Sequence, residues 1–395
     1  MEGSSSDLDP PSCAWYEQAV TLDPSFALAH ARQALSLSSS GYDPRKLERA
    51  RRAAERALSL AGQLSEARLA LAHYHARAGD REEALRQTEM AAATAPDHPL
   101  IAVNLADRQE AAGNLDAAIQ TLRRAEQLNP LDPFLFQALT WSLIRAHQYD
   151  DALDVLAREA ARFETPPPQG RTRALIHLLK GEYAPARSVI SDLLGPDEAH
   201  RPYSAIPTTR STVVLRHMTA EQRHVSFEAY KEWVLEDLGW QEGCITTVGF
   251  CIRRAIHERD VGSGETARIL WDSLRSAIST EDPPREHYGY SIHALIHMEL
   301  GEEEAALEAA RKAVGLFASE GCCRGHESLQ SYAMPARVLA RFGEHGEAMD
   351  LVEEMLSGPS YLSVPVLEID PIWDPLRDHP RFQALLEKYS EDVEH

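Results

Sequence analysis

Two histidines four residues apart, His293 and His297, are the first residues whose type and spacing could do chemistry. On a helix that interval puts two imidazoles on one face, where both can hold one metal ion. A metalloprotease helix would need glutamate at position 294, and Ala294 stands there. Cys322, Cys323 and His326 could complete the ligand set of a metal- or thiol-dependent enzyme if their stretch folded back on that helix. Cys244 and Cys251 lie seven apart on a helical pattern, about 10 Å along an axis, so they cannot bridge each other and read as small apolar side chains. Gly262-Ser263-Gly264 has neither the third glycine nor the preceding strand of a nucleotide-binding turn. The sequence contains no phosphate-binding loop, nucleophile elbow or kinase signature, and its carboxylates are scattered. The expectation is a chain that is not an enzyme, with no catalytic residue, no metal and no cofactor.

The elements that would carry these residues repeat themselves. From Leu64 to Leu194 the turns Ala78-Gly79-Asp80, Ala112-Gly113-Asn114, Ala146-His147-Gln148 and Lys180-Gly181-Glu182 recur every 34 residues. Five residues after each centre stands Ala84, Ala118, Ala152 or Ala186, and seven before it Ala72, Ala106, Thr140 or Ala174. Pro96 and Pro130 close two repeats at the same interval. Such a period is the mark of a solenoid of helix–turn–helix pairs, because antiparallel helices approach closely only where side chains are short. Looser pairs surround Gly262, Gly301 and Gly343, with Ala267, Ala306 and Ala348 in the small-residue column. His297 then shares a column with His75 and His177, and His293 one with Leu71, Leu105 and Leu139, which predicts packing roles in the inter-helix core for both.

This pattern, Leu71-Ala72, Gly79, Ala84, Ala91, Pro96 and again Leu105-Ala106, Gly113, Ala118, Ala125, Pro130, then Leu139, Ala152 and Leu156, resembles the tetratricopeptide repeat family. The family's Trp at the helix start is absent, and its later aromatic is His75, Gln109 or Leu143. The resemblance spans Ser12–Leu194 and, more loosely, Gly243–Pro359. It implies an all-α fold, a right-handed α-solenoid of antiparallel helix pairs. The closing stretch Leu367–Phe382, with Ile372, Trp373 and Leu376, is similar to the ends of repeat regions that follow bacterial serine/threonine kinase, nucleotide cyclase or winged-helix regulator domains. That likeness implies an alternative role, the regulatory arm of a signalling protein lacking its effector domain.

The expected organisation is a disordered leader 1–11, a first repeat array 12–195, an irregular link 196–225, looser helical repeats 226–360, and a capping segment with a terminal helix 361–395. Within the link-side region, Phe227, Tyr230, Val234 and Leu238 form one helical stripe. Ser12–Leu22 is a second helix without its first, which leaves an apolar face bare. Thr165-Pro166-Pro167-Pro168 forces an extended link. Acids outnumber bases 61 to 40, a net charge of −21 that repels phosphate, so nucleic acid is not expected as a partner. The basic run Arg45, Lys46, Arg49, Arg51, Arg52, Arg56 reads as a solvated face paired with Glu48 and Glu55 at i,i+4. No apolar run spans a bilayer, no signal peptide is present, and five cysteines suit a reducing compartment, so the expectation is cytoplasmic, without membrane contact.

What remains is a protein-binding scaffold or adaptor. Its concave face is expected to present Leu69, His73, Leu100, Val103, Asp107, Phe134, Gln137 and Trp141, with Arg77 and Arg145 at the rim. Family members that clamp a terminal carboxylate carry Lys, Asn and Arg on this face, and here only Asn104 matches. The resemblance therefore implies a partner protein offering an apolar peptide or amphipathic helix, with Trp141 as anchor.

Overall fold

The computed structural model describes residues 11–39, 44–163, 169–193, 248–260, 262–278, 287–319, 332–358 and 360–390. Among them are twenty α-helices, one short 3-10 turn and no strand. The helices are α1 (Pro11–Leu22), α2 (Ala27–Ser39), α3 (Pro44–Leu60), α4 (Ser65–Arg77), α5 (Arg81–Thr94), α6 (Pro99–Ala111), α7 (Leu115–Leu128), α8 (Pro133–Arg145), α9 (Tyr149–Arg162), α10 (Gly170–Leu179) and α11 (Tyr183–Leu193). Further along the chain follow α12 (Val248–Asp260), α13 (Gly264–Ile278), α14 (His287–Leu300), α15 (Glu303–Ser319), α16 (Ala333–Arg341), α17 (His345–Ser357), α18 (Val364–Ile369), α19 (Asp374–Arg377) and α20 (Pro380–Ser390). The links expected around 164–168 and 196–225, the stripe from Phe227 to Leu238, Cys244, and the Cys322, Cys323, His326 stretch all lie outside the described residues.

One turn geometry makes the pairs. Gly79, Gly113, Gly181, Gly301 and Gly343 all have left-handed backbone, with φ from 75° to 84°. At each, the glycine N–H bonds the carbonyl three residues back, and the next N–H bonds the carbonyl five back, as in Asp80 N to His75 O at 2.9 Å. These bonds satisfy the orphan carbonyls at the end of the first helix and aim the chain back along it. His147 takes the same place with φ 59°, the one non-glycine residue in this region among the described residues.

The small-residue columns are closed to solvent. Ala84, Ala118, Ala152, Ala186, Ala267, Ala306 and Ala348 are all buried, as are Ala72, Ala106, Thr140, Ala174, Ala255, Ala294 and Ala336 seven residues before each turn centre. The repeat register therefore runs unbroken through the looser pairs, and the expected all-α array of consecutive antiparallel pairs is the observed one.

Packing divides the described residues into two compact units, one through Ser142 and one from Leu143 onward. The first has an alanine-rich core, in which Ala31, Ala34, Ala54, Ala57, Ala67 and Ala70 let α2, α3 and α4 approach closely. In the second, Trp271, Leu274, Ile252, Leu295 and Ile296 fill the space between α12, α13 and α14. At its end Trp373 and Phe382 are fully buried, and α20 lies against α17, where Arg381 pairs with Asp350 at 2.7 Å. Arg337 of α16, itself buried, sits 3.6 Å from the buried Asp370 and 5.9 Å from the Trp373 ring.

Candidate functional site

In the first unit the opening helices of successive pairs are tied by a polar ladder. His73 of α4 receives the Ser38 hydroxyl of α2 at Nδ1 (3.0 Å) and gives its Nε2–H to Asn104 Oδ1 of α6 (2.8 Å). Asn104 in turn donates to the Leu100 carbonyl at 2.8 Å. Burial pushes the His73 pKa down to about 4; the Arg108 and Arg77 charges act in the same direction, and the Asn104 bond opposes them. The ring is therefore neutral at pH 7, which is why Nδ1 accepts and Nε2 donates. Asn104 is thus a spacer between helices, and its one point of likeness to a carboxylate clamp has another use.

The residues expected on the binding face fall into two groups. Leu100, Phe134 and Gln137 are exposed, Val103, Asp107 and Trp141 are half-buried, and Arg77 is exposed at the end of α4. Four of these are apolar and lie on two helices: Leu100 and Val103 on α6, Phe134 and Trp141 on α8. Leu69 and Arg145 are closed to a partner. Leu69 is 1% exposed and packs on Ala91 and Ile101, because its column turns toward the second helix of its own pair. His73 is held in the ladder.

Arg145 is buried in the second unit by a distant part of its own chain. Its Nη1 donates to the Tyr361 hydroxyl at 2.6 Å, with the guanidinium 5.9 Å from the Tyr361 ring. Tyr361, Leu362, Ser363 and Val364 are all buried. Two residues after each turn centre stand Tyr149 and Tyr183, and both meet this strap. The Tyr149 hydroxyl faces Ser363, and burial raises its pKa. The Tyr183 hydroxyl donates to the Pro365 carbonyl at 3.3 Å. The strap thus crosses the turns at His147 and Gly181. The capping segment, expected only on the last repeat, also reaches back to α9, α10 and α11 because two tyrosines in one repeat column receive it. That shared column was the readable signal.

No protein-family model matches the chain, and no curated protein matches it. Among solved structures, the chain is similar to YrrB, described as a TPR protein with an unusual peptide-binding site (19% identity, 46% of this chain and 93% of that one, TM-score 0.36). It is also similar to a tetratricopeptide repeat protein from Parabacteroides merdae (15% identity, 69% and 98% covered, TM-score 0.39). A third is human IFIT1, a dimer with PPP-AAAA (15% identity, 96% and 77% covered, TM-score 0.41). These are likenesses of repeated helix pairs.

The histidine column has a use other than the one expected. His177 Nδ1 lies 2.6 Å from Glu182 Oε2, His297 Nδ1 lies 2.6 Å from Glu302 Oε2, and His75 lies 3.7 Å from Asp80. Each pair clasps the two ends of its glycine turn, so these imidazoles are half-buried rather than packed in the inter-helix core. The His297 bond, followed by Arg275, holds the Glu302 carboxyl below the ordinary range. His293 is half-buried, and burial lowers its pKa, with His297 adding to the effect. Among the described residues no group of three His, Cys, Asp or Glu side chains is placed to hold a metal ion. Nor is any described helix long and apolar enough to cross a membrane. On the basic face of α3, Arg51 pairs with Glu48 and Glu55 and Arg52 with Glu48 at 2.5–3.0 Å within the helix, and Arg49 pairs with Glu17 of α1.

Proposed function

We propose that this chain is a non-catalytic, protein-binding scaffold of the cytoplasm, whose first-helix face on α6 and α8 holds an apolar peptide or a partner helix. The observation that carries the reading is Phe134 of α8, 71% exposed, and the exposed Leu100 of α6, with Val103 and Trp141 half-buried on the same two helices. An isolated exposed leucine needs no explanation, but an aromatic and aliphatic strip on adjacent helices does. The ladder from Ser38 to Asn104 supports the reading, because it fixes the spacing of α2, α4 and α6 before any partner arrives. A net charge of −21 argues against a nucleic-acid ligand.

The test is a pull-down with the full chain and with Trp141→Ala plus Phe134→Ala, after circular dichroism has shown unchanged helicity. Loss of specific partners is expected. Recovery of the same partners in the same amounts would sink the assignment of this face.

A further inference from the structure

Apart from Trp15 of α1, the exposed large apolar side chains described in the first unit all fall at the junctions between helix pairs. Leu28, Leu100 and Phe134 are each the second residue of α2, α6 and α8, and are 40%, 46% and 71% exposed. Leu22, Phe26, Leu128 and Leu131 fall in the same junctions, all exposed. In α4 the same second position is Glu66. The four junctions, 22–28, 60–66, 94–100 and 128–134, contain Asp23, Glu66, Asp97 and Asp132, and no lysine or arginine.

Two of the carboxylates have local duties as well. Asp132 accepts the Phe134 N–H at 2.9 Å, and Asp23 accepts from Ser25 at 2.6 and 2.9 Å, bonds that keep it ionised. Glu66 is partly neutralised by Arg32 at 3.0 Å. Asn129 donates to the Asp97 carbonyl at 2.8 Å and so holds the third and fourth junctions side by side. The edge is an apolar row in a negative field, strongest at Asp97 and Asp132.

Spacing selects the form of a ligand. Neighbouring helices pack about 8–10 Å apart, and seven residues of α-helix rise about 10.5 Å. A helix laid across the edge would set residues i and i+7, which share a face, over Phe134 and Leu100. An extended chain covers the same distance in about three residues, which point to opposite sides of a strand. We propose that this edge docks a basic amphipathic helix of a partner protein, apolar at residues seven apart, with Lys or Arg on the flank that meets Asp97 and Asp132. This rests on the protein-binding reading above and shares Phe134 and Leu100 with it, while Leu131 and Asp97 belong to the edge alone and Trp141 to the first-helix face alone.

The probe is a fluorescein-labelled peptide of about 22 residues, the length of three heptads plus one residue. It carries Leu at each seventh position, Lys on one flank and Ala elsewhere, and is titrated with the full chain by fluorescence anisotropy. Two controls replace Lys by Glu, or Leu by Ser. Saturable binding of the Lys/Leu peptide is expected, at least tenfold weaker to Leu100→Ser with Leu131→Ser, and at least tenfold weaker to Asp97→Lys, which leaves the apolar row in place. Equal binding of either control peptide, no binding of the Lys/Leu peptide, or unchanged affinity in Asp97→Lys overturns the proposal. If the peptide fails while Trp141→Ala with Phe134→Ala still loses partners, the edge falls and the first-helix face stands. If the peptide binds the wild type and Trp141→Ala equally while Trp141→Ala also keeps the pull-down partners, the edge stands and the first-helix face falls.

Discussion

Alanine at two glycines of the second unit should separate backbone strain from contact with the strap. Gly181 and Gly301 have nearly the same left-handed φ, 77° and 75°. A side chain in that conformation costs about 1–2 kcal/mol, and the stiffer unfolded chain returns about 0.4–1 kcal/mol. A Cβ at 301 would meet nothing within 4 Å, so Gly301→Ala should cost about 1 kcal/mol of conformational strain alone. At 181 the added Cβ would lie 3.3 Å from Pro365 Cβ and 3.4 Å from its Cγ. Pro365 cannot yield freely, since Val364, Val366 and Leu367 around it are buried. That overpacking should add about 1 kcal/mol, making Gly181→Ala roughly twice as costly. Thermal denaturation by circular dichroism, with amide exchange of α10 and α18 to resolve partial unfolding, measures both. Equal losses at the two positions would refute the strap contact. A second check is Pro365→Gly, which removes both contacting carbons; in that background Gly181→Ala should lose its extra cost and match Gly301→Ala.

Ala118→Leu should overpack a fully closed helix contact by about 1–3 kcal/mol and unfold its neighbourhood in a non-two-state melt; an unchanged melting curve contradicts the register. Trp373→Ala should cost about 3–5 kcal/mol through the cavity it leaves and expose the last repeat, read as lower Tm and faster aggregation. His73 has a folded pKa near 4 against about 6.5 unfolded, so its contribution is fully present above pH 6.5 and is lost as pH falls toward 4. Urea titrations should show a stability slope in that window for the wild type and a flatter one for His73→Gln.

The turns, the alanine columns and the pairing of helices were legible because each depends on residues within one or two repeats. Ala255, Ala294 and Ala336 obey the same rule where the period drifts, since an inserted loop changes the count between turns but not the distance from a turn to its packing alanine. His147 shows that a left-handed turn can be kept without glycine, and its ring stacks on Tyr149 at 5.7 Å. Of the binding face, the period places Leu100, Phe134 and Gln137 on the open side, and all three are exposed. It misplaces Leu69 because one helical column serves both the open face and the contact with the second helix, and a period alone does not divide the two. Arg145 was not legible as an interior residue: its partner Tyr361 is 216 residues away, and no repeat arithmetic connects them. The three histidine clasps were visible as a column, but their bonds to Asp80, Glu182 and Glu302 depend on how the turn folds.

The strap has a consequence for how the chain is made. In an ordinary solenoid each pair can settle on its predecessor as it leaves the ribosome, since contacts reach only to neighbours. Here Arg145 and Tyr149 are buried against residues 361–365, and the half-buried Tyr183 bonds the same strap. At synthesis rates of about 5–20 residues per second, the 216 residues separating Arg145 from Tyr361 correspond to about 10–40 s. For that interval the edge at α9 and α11 has no cover, and its tyrosines and the Arg145 charge face solvent or a chaperone. The second unit therefore completes its fold only after residue 365 has emerged, and a nascent chain arrested before residue 361 keeps that edge open.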